Sequence, residues 1–281
     1  MGPCDRRTFL RVAGATGALA ALYGCGTASR KASGHVVVVG GGYGGATAAK
    51  YLRMWSEGRV DVTLVERNAR FVSCPISNLV IVGEKTLADI TLGYDGLKRH
   101  GVTVVHNEAV AIDADKRSVR LADGDTLRYD RLVLSPGIDF IYDNLPGLAD
   151  AAAPETVLHA WKAGPQTVAL RKQLETMPDG GTYAICIPRS PYRCPPGPYE
   201  RASLVAWYFR QHKPKSRVLI LDANEEVVSK KALFMKVWAD AYQGIVEYRP
   251  QSELRDVDVA KRTAVLESDR VRVHELNVVP P

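Results

Sequence analysis

His35-Val36-Val37-Val38-Val39-Gly40-Gly41-Gly42-Tyr43-Gly44-Gly45-Ala46 is the stretch on which the fold turns. An apolar run too short for a helix meets a glycine cluster, and a helical pattern then continues to Trp55; this predicts strand, tight turn and helix. Gly40, Gly42 and Gly45 satisfy G-x-G-x-x-G. The first would turn the chain, the second would let a pyrophosphate approach the backbone, and the third would let the helix pack closely on the strand. Gly44, in the same turn, joins them as a candidate cofactor-binding residue. Free amides and the helix dipole favour phosphate at such a turn.

A glycine pattern alone is weak, because a structural turn produces the same letters. Here residues 60–66 read as a second strand ending in Glu66, an acid about 20 residues past the glycines, where a ribose hydroxyl is bound. An acid rather than a base disfavours a ribose 2′-phosphate. The loop does not decide between FAD and NAD. Short alternating strands follow over 103–106, 109–113, 118–121 and 126–129, with Asp123-Gly124 as a turn. They lead into an apolar strand ending in Ser135-Pro136-Gly137. Such a β-meander is similar to the architecture of flavoproteins with two dinucleotide domains, which makes FAD the expected cofactor. Pro136, Gly137 and Val110, read as lying at the third-strand edge, are further candidate contacts.

A second unit follows, with a helix over 167–177, a strand over 182–187, a helix over 199–211 and a strand over 217–222. A pyridine-nucleotide-dependent flavoprotein should carry another glycine fingerprint after that first strand. Instead Cys186-Ile187-Pro188 runs into Arg189-Ser190-Pro191-Tyr192-Arg193-Cys194-Pro195-Pro196-Gly197-Pro198-Tyr199-Glu200-Arg201. Prolines lack backbone donors, so pyrophosphate has little to bind there, and NAD(P)H is not expected as the electron donor. The expected fold is α/β: two Rossmann-like domains of the glutathione-reductase type, the first over 34–150 and the second, incomplete, over 151–281.

Residues 1–33 read as a leader. Asp5-Arg6-Arg7-Thr8-Phe9-Leu10-Arg11 precedes a mildly apolar run over 12–23, the layout of a twin-arginine export signal. Gly26-Thr27-Ala28 offers a cleavage site, and Leu22-Tyr23-Gly24-Cys25 a lipoprotein-like alternative with Cys25 as the anchor. The expected destination is the periplasm. The leader holds +4 of the formal net charge of +6, so the body carries only +2, too balanced to suggest nucleic acid as a partner. No stretch of the mature chain is apolar enough to span a membrane, and no metal site is expected.

Three cysteines remain, Cys74, Cys186 and Cys194. An odd count in an oxidising compartment suggests a thiol with other employment or a missing partner. Cys74 reads either as a small buried hydrophobe or as a thioether to a flavin ring. Together with the leader, Cys74-Pro75-Ile76-Ser77-Asn78, residues 129–139, His159-Ala160-Trp161-Lys162-Ala163-Gly164 and the motif around Cys194 resemble the flavoprotein subunit of flavocytochrome c sulfide dehydrogenase. That resemblance implies oxidation of sulfide to sulfur or polysulfide on FAD, with electrons passed to a haem-bearing cytochrome c subunit. It implies covalent FAD attachment at Cys74, a redox disulfide at Cys194 and a proton-accepting role for Glu200. Glu200 also has a plainer reading, an acid favouring the dipole of the helix it begins.

The sequence ends at Leu276-Asn277-Val278-Val279-Pro280-Pro281, which resembles the middle of the second domain. The partner of Cys194 is therefore expected beyond Pro281, since Cys186 sits within a strand. Two other readings remain open: a flavin-less binding or assembly protein of this length, and an NAD(P)H-dependent FAD disulfide reductase. A sulfide:quinone reductase is disfavoured by the leader and by the lack of an evident membrane-docking segment.

Overall fold

A computed structural model describes residues 32–142, 144–149 and 153–280. The leader, with its twin arginines and Cys25, lies outside the described residues. The chain divides into two compact units, one comprising residues up to Ala69 with Tyr94–Pro136, the other Arg70–Gly93 with Gly137–Pro281. The sequence suggested one boundary near 150, whereas this division is discontinuous. Residues 70–93 group with the second unit because the short helix Ser77–Ile81 packs on the helix Pro165–Thr176, placing Ile81 and Val82 in one core with Leu170 and Leu174.

In the first unit, parallel strands lie in the order Thr103–Val105, Val60–Val65, Gly34–Val39, Arg131–Leu134. This is the 3-2-1-4 order of a dinucleotide-binding half. Val37 and Val38 are fully buried, as a strand inside a covered parallel sheet requires. The helix Tyr43–Trp55 follows the first strand. Between the third and fourth strands the chain makes an antiparallel meander, Ala109–Asp113, Ser118–Leu121 and Thr126–Arg128. Its second turn uses Gly124 at φ 97°. Val119 and Leu121 pack with Val37 and Val65.

The second unit repeats this path. Its parallel order is Val246–Arg249, Arg217–Asp222, Thr182–Ile187, Glu275–Val278, and a meander of Leu254–Asp258, Thr263–Leu266 and Arg270–Arg272 again separates the third strand from the fourth. The sequence shows no internal repeat because the two halves share a chain path, not residues. All six positions of Thr182–Ile187 are buried. Tyr183, Ile185 and Ile187 join a core with Tyr199, Val205 and Phe209 of the helix Gly197–His212, while Ala184 and Cys186 join Leu219 and Leu276 in another. Each buried aliphatic side chain contributes roughly 1.5–3 kcal/mol, so this strand is a firm base for the loop that leaves its end. Among the described residues no helix is long and apolar enough to cross a membrane, and no cluster of candidate ligands could hold a metal ion.

Candidate functional site

The glycine turn in the first unit separates into two kinds of position. Gly40 has φ 97°, and a Cβ there would lie 2.0 Å from the Ser135 carbonyl oxygen; a Cβ on Gly45 would lie 1.9 Å from the Gly40 carbonyl oxygen. Those two glycines are required by the fold. A Cβ on Gly42 would meet nothing within 4 Å, and one on Gly44 would only touch Ser135 Oγ at 3.4 Å. The open space beside Gly42 lies at the start of a helix whose first-turn amides have no intrahelical acceptors, so the residues present fit a dinucleotide phosphate.

Glu66 follows the second strand, as expected. Its Oε2 accepts the Gly41 amide at 2.7 Å, and its Oε1 accepts the backbone amide and side-chain nitrogen of Asn68 at 2.7 and 2.8 Å. The Tyr94 hydroxyl donates to the Gly41 carbonyl at 3.3 Å. Burial and then the charge of Glu66 push its pKa up to about 12, which keeps it a donor. Pro136 and Gly137 follow the fourth strand, with Gly137 at φ 85°. The third sheet strand ends at Val105, and Val110 follows it in the first meander strand, 46% exposed at a register irregularity between Ala109 and Ala111.

In the second unit, Trp161 gathers the two expected thiol positions. The Cys74 thiol donates to the Trp161 carbonyl at 3.3 Å, and Arg193 donates to the same oxygen at 2.8 Å. The indole nitrogen donates back to the Arg193 carbonyl at 3.1 Å. The indole edge reaches Gly197, where an added Cβ would lie 2.9 Å from Trp161 Cη2 and 3.1 Å from Cys194 Sγ. Cys194 is exposed and adopts φ 59°. A left-handed conformation costs a non-glycine residue about 1–2 kcal/mol, and such strain is found at functional turns. The Gly197 amide closes the turn on the Cys194 carbonyl at 2.9 Å.

The electrostatics of this turn favour a protonated resting thiol. Partial burial pushes the Cys194 pKa up, the Gly197 amide opposes that, Glu200 and Cys74 add to the rise, and Arg193 opposes it. Burial also raises the Glu200 pKa, partly offset by Asn78 and Arg201. Glu200 lies in the first turn of Gly197–His212, so its helix-dipole role and its place beside the thiol hold together. Cys186 is a different kind of cysteine: 2% exposed, its thiol pushed up to about 12 by burial, and packed among aliphatic side chains.

Three residues of this cluster were quoted in sequence motifs without an assigned role: Asn78, Trp161 and Arg201. Arg201 is 2% exposed. It donates from Nε to Asn78 Oδ1 at 2.9 Å and from its terminal nitrogens to Asn277 Oδ1, the His159 carbonyl and the Ala160 carbonyl at 2.9, 2.6 and 2.8 Å. Its guanidinium lies 4.8 Å from the Trp161 ring centre. The Trp161 amide donates to His159 Nδ1 at 2.9 Å. Burial first, then Arg201 and Lys162, lower the His159 pKa to about 4, which keeps the imidazole a neutral acceptor.

Asp222 ends the second strand of this unit, the position equivalent to Glu66. It is fully buried, and its Oδ2 accepts the hydroxyls of Tyr199 at 2.7 Å and Tyr248 at 3.0 Å. Its Oδ1 accepts the amide and side-chain nitrogen of Asn224 at 3.0 and 2.7 Å. The acid that could read a second ribose is thus occupied by internal bonds. Sequence reasoning missed it, although Asp222 ends the predicted strand and Tyr199 opens the predicted helix.

Residues 34–174, half of the chain, match the family model of pyridine nucleotide-disulphide oxidoreductases. The chain belongs to that family. Residues 167–280 match the central-region model of the sulfide dehydrogenase [flavocytochrome c] flavoprotein chain. Mouse mitochondrial sulfide:quinone oxidoreductase is 27% identical over 248 residues, 83% of this chain and 51% of its own. The flavocytochrome c sulfide dehydrogenase flavoprotein chain of Chlorobaculum thiosulfatiphilum is 60% identical over 45 residues, 16% of this chain and 92% of that sequence. Among solved structures, the sulfide:quinone oxidoreductase of Aquifex aeolicus superposes with a TM-score of 0.71 at 19% identity, covering 88% of this chain and 58% of that one. That likeness shows the fold. The chain spans about half the length of the first two curated relatives it matches. The chain is thus an oxidoreductase-family member with stretches similar to sulfide-oxidising flavoproteins, and the flavoprotein names of these relatives support a flavin at the glycine turn.

Proposed function

We propose that this chain forms the FAD-bearing part of a periplasmic sulfide dehydrogenase, exported by the twin-arginine route, that oxidises sulfide to sulfur or polysulfide and delivers electrons to a cytochrome c subunit. The observation that carries this reading is the Cys194 turn with Glu200 on the helix behind it, standing where a second nucleotide loop would otherwise be. FAD, held at the Gly40–Gly45 turn and Glu66 and tethered through Cys74, would supply a two-electron acceptor. Cys194 provides one sulfur of a redox disulfide. Hydrosulfide attacks that disulfide, its S–S bond breaks, a new S–S bond forms as a persulfide, and the other sulfur leaves as a thiolate. Glu200, whose burial raises its proton affinity, accepts the persulfide proton.

The cytochrome partner is supported by the similarity to flavoprotein chains of flavocytochrome c, in the matching family model and in the Chlorobaculum sequence. An NAD(P)H-dependent reductase is disfavoured by the prolines after Ile187 and by the bonded state of Asp222. The test uses the exported, full-length protein. Sulfide should bleach the flavin absorbance and reduce added cytochrome c, Cys194→Ser should abolish both, and peptide mass spectrometry should find flavin on Cys74. Bleaching by NADH, reduction of a quinone in place of cytochrome, or a colourless folded product would each overturn part of this assignment.

A further inference from the structure

Arg201 is a buried cation whose four hydrogen-bond acceptors are all neutral. A guanidinium taken out of water is costly unless negative charge lies nearby. Besides His159, which burial and then the Arg201 charge hold neutral, the ionisable groups Tyr183, Cys74, Glu200 and Cys194 each favour the charged guanidinium against the opposing effect of burial. The fold therefore places a fixed positive charge beside groups that can carry a negative one. The contact with Asn78 gives this charge a direction. Arginine has donors only, so Nε at 2.9 Å fixes the Asn78 oxygen toward Arg201 and leaves the Asn78 NH2 group for another acceptor. Asn78 is 7% exposed, and its side chain interacts with the Glu200 carboxylate, lowering that group's proton affinity.

We propose that Arg201 and Asn78 form a positioning relay: Arg201 locks the Asn78 amide so that its NH2 group faces Glu200 and holds that carboxylate ionised and ready to accept a proton. This rests on the reading of Glu200 as proton acceptor. The groups facing Glu200 are Arg201 on its own helix, Cys194 in the preceding turn and Asn78 in the segment that carries Cys74. The relay ties the segment 70–93, the turn at Ala160 and the helix Gly197–His212 to one carboxylate.

The test titrates Glu200 directly in the full-length protein by 13C resonance of labelled glutamate side chains, with assignment by loss of the signal in Glu200→Gln. Asn78→Leu should raise the Glu200 midpoint by roughly one pH unit, the effect of losing a hydrogen bond to the charged form. Asn78→Asp carries the test if the leucine variant does not fold. It keeps the side-chain size, gives up the NH2 donor and adds a like charge, so the midpoint should rise further. An unchanged midpoint in a folded variant, even with a lowered melting temperature, would make Asn78 a packing residue and overturn the relay. Sulfide-dependent activity that survives Glu200→Gln, together with a shifted midpoint in the Asn78 variant, would instead overturn the proton-acceptor role and leave the relay standing.

Discussion

Two alanine substitutions in the glycine turn should separate the needs of the fold from the needs of the cofactor. In Gly45→Ala the new methyl would sit 1.9 Å from the Gly40 carbonyl oxygen and 3.2 Å from Val38 Cγ1, the first far inside the ~3.5 Å of ordinary contact. Both neighbours belong to the central strand and its turn, so relief requires backbone movement. Overpacking of this kind costs about 1–3 kcal/mol or more, and the better helix propensity of alanine returns up to about 1 kcal/mol. A net loss of about 2 kcal/mol should lower the melting temperature by roughly 4–8 °C in a chain of this size. Gly42→Ala is the opposite case. Its φ of −70° and ψ of −169° suit any residue, and its Cβ would enter open space. Apo-protein stability should then fall by no more than the ~0.5–1 kcal/mol of a poorer N-cap. FAD affinity should fall at least tenfold, about 1.4 kcal/mol, because the methyl takes the space a phosphate needs against the backbone. The assay pairs urea melts of apo-protein with flavin titration in a Cys74→Ser background, where a thioether cannot mask the equilibrium. Parental FAD affinity in Gly42→Ala, or parental stability in Gly45→Ala, would refute the division.

Tyr199→Phe should destabilise the second unit by about 1.5–3 kcal/mol, the worth of a hydrogen bond to a charged group, because it removes the 2.7 Å bond to fully buried Asp222; urea melts should show no such loss if Asp222 is satisfied without it. Iodoacetamide modification of Cys194 should rise only above the usual thiol range, and Glu200→Gln should lower its pH midpoint, since a negative charge that opposes the thiolate is removed. The depressed His159 pKa, about 4 against an ordinary 6.5, means the unfolded chain binds the extra proton first on acidification. Stability should therefore fall as pH drops from about 6.5 toward 4, by at most about 3 kcal/mol from this group, and urea melts of His159→Gln at pH 7 and 4.5 should show a shallower loss than the parent.

The architecture was legible where one residue type and one period dominate. The run His35–Val39 followed by spaced glycines, and the alternating segments to Arg128, report local geometry, so the first sheet and its meander follow from the letters. The helix predicted over 199–211 spans Gly197–His212 because Pro198 is tolerated in a first turn that needs no amide donors. What the letters hid is tertiary. Arg201 and Asn78 meet across 123 positions, and Asn277 meets Arg201 across 76, so no local pattern announces their roles. Residues 70–93 look like a continuation of the first domain because their allegiance is decided by packing of Ile81 and Val82.

The two halves make the same turn with opposite contents, and that contrast bears on why one chain path serves two chemistries. Each half has a strand that ends at a helix beginning near a glycine, and a second strand that ends in an acid. In the first, the space beside Gly42 is open and Glu66 is partly accessible, bonded to loop amides that a ribose or phosphate could also engage. In the second, the space beside Gly197 holds Cys194 Sγ and the Trp161 ring, and Asp222 lies fully buried beneath Tyr199 and Tyr248. On the proposed function, a filled second turn would leave a phosphate no room and its ribose reader already bonded, while the same helix start presents a strained, exposed thiol with a carboxylate in the first helical turn. Reopening that turn would take at least three coordinated changes, at Cys194, Trp161 and Tyr199. A single substitution such as Cys194→Gly should therefore leave NADH unable to bleach the flavin.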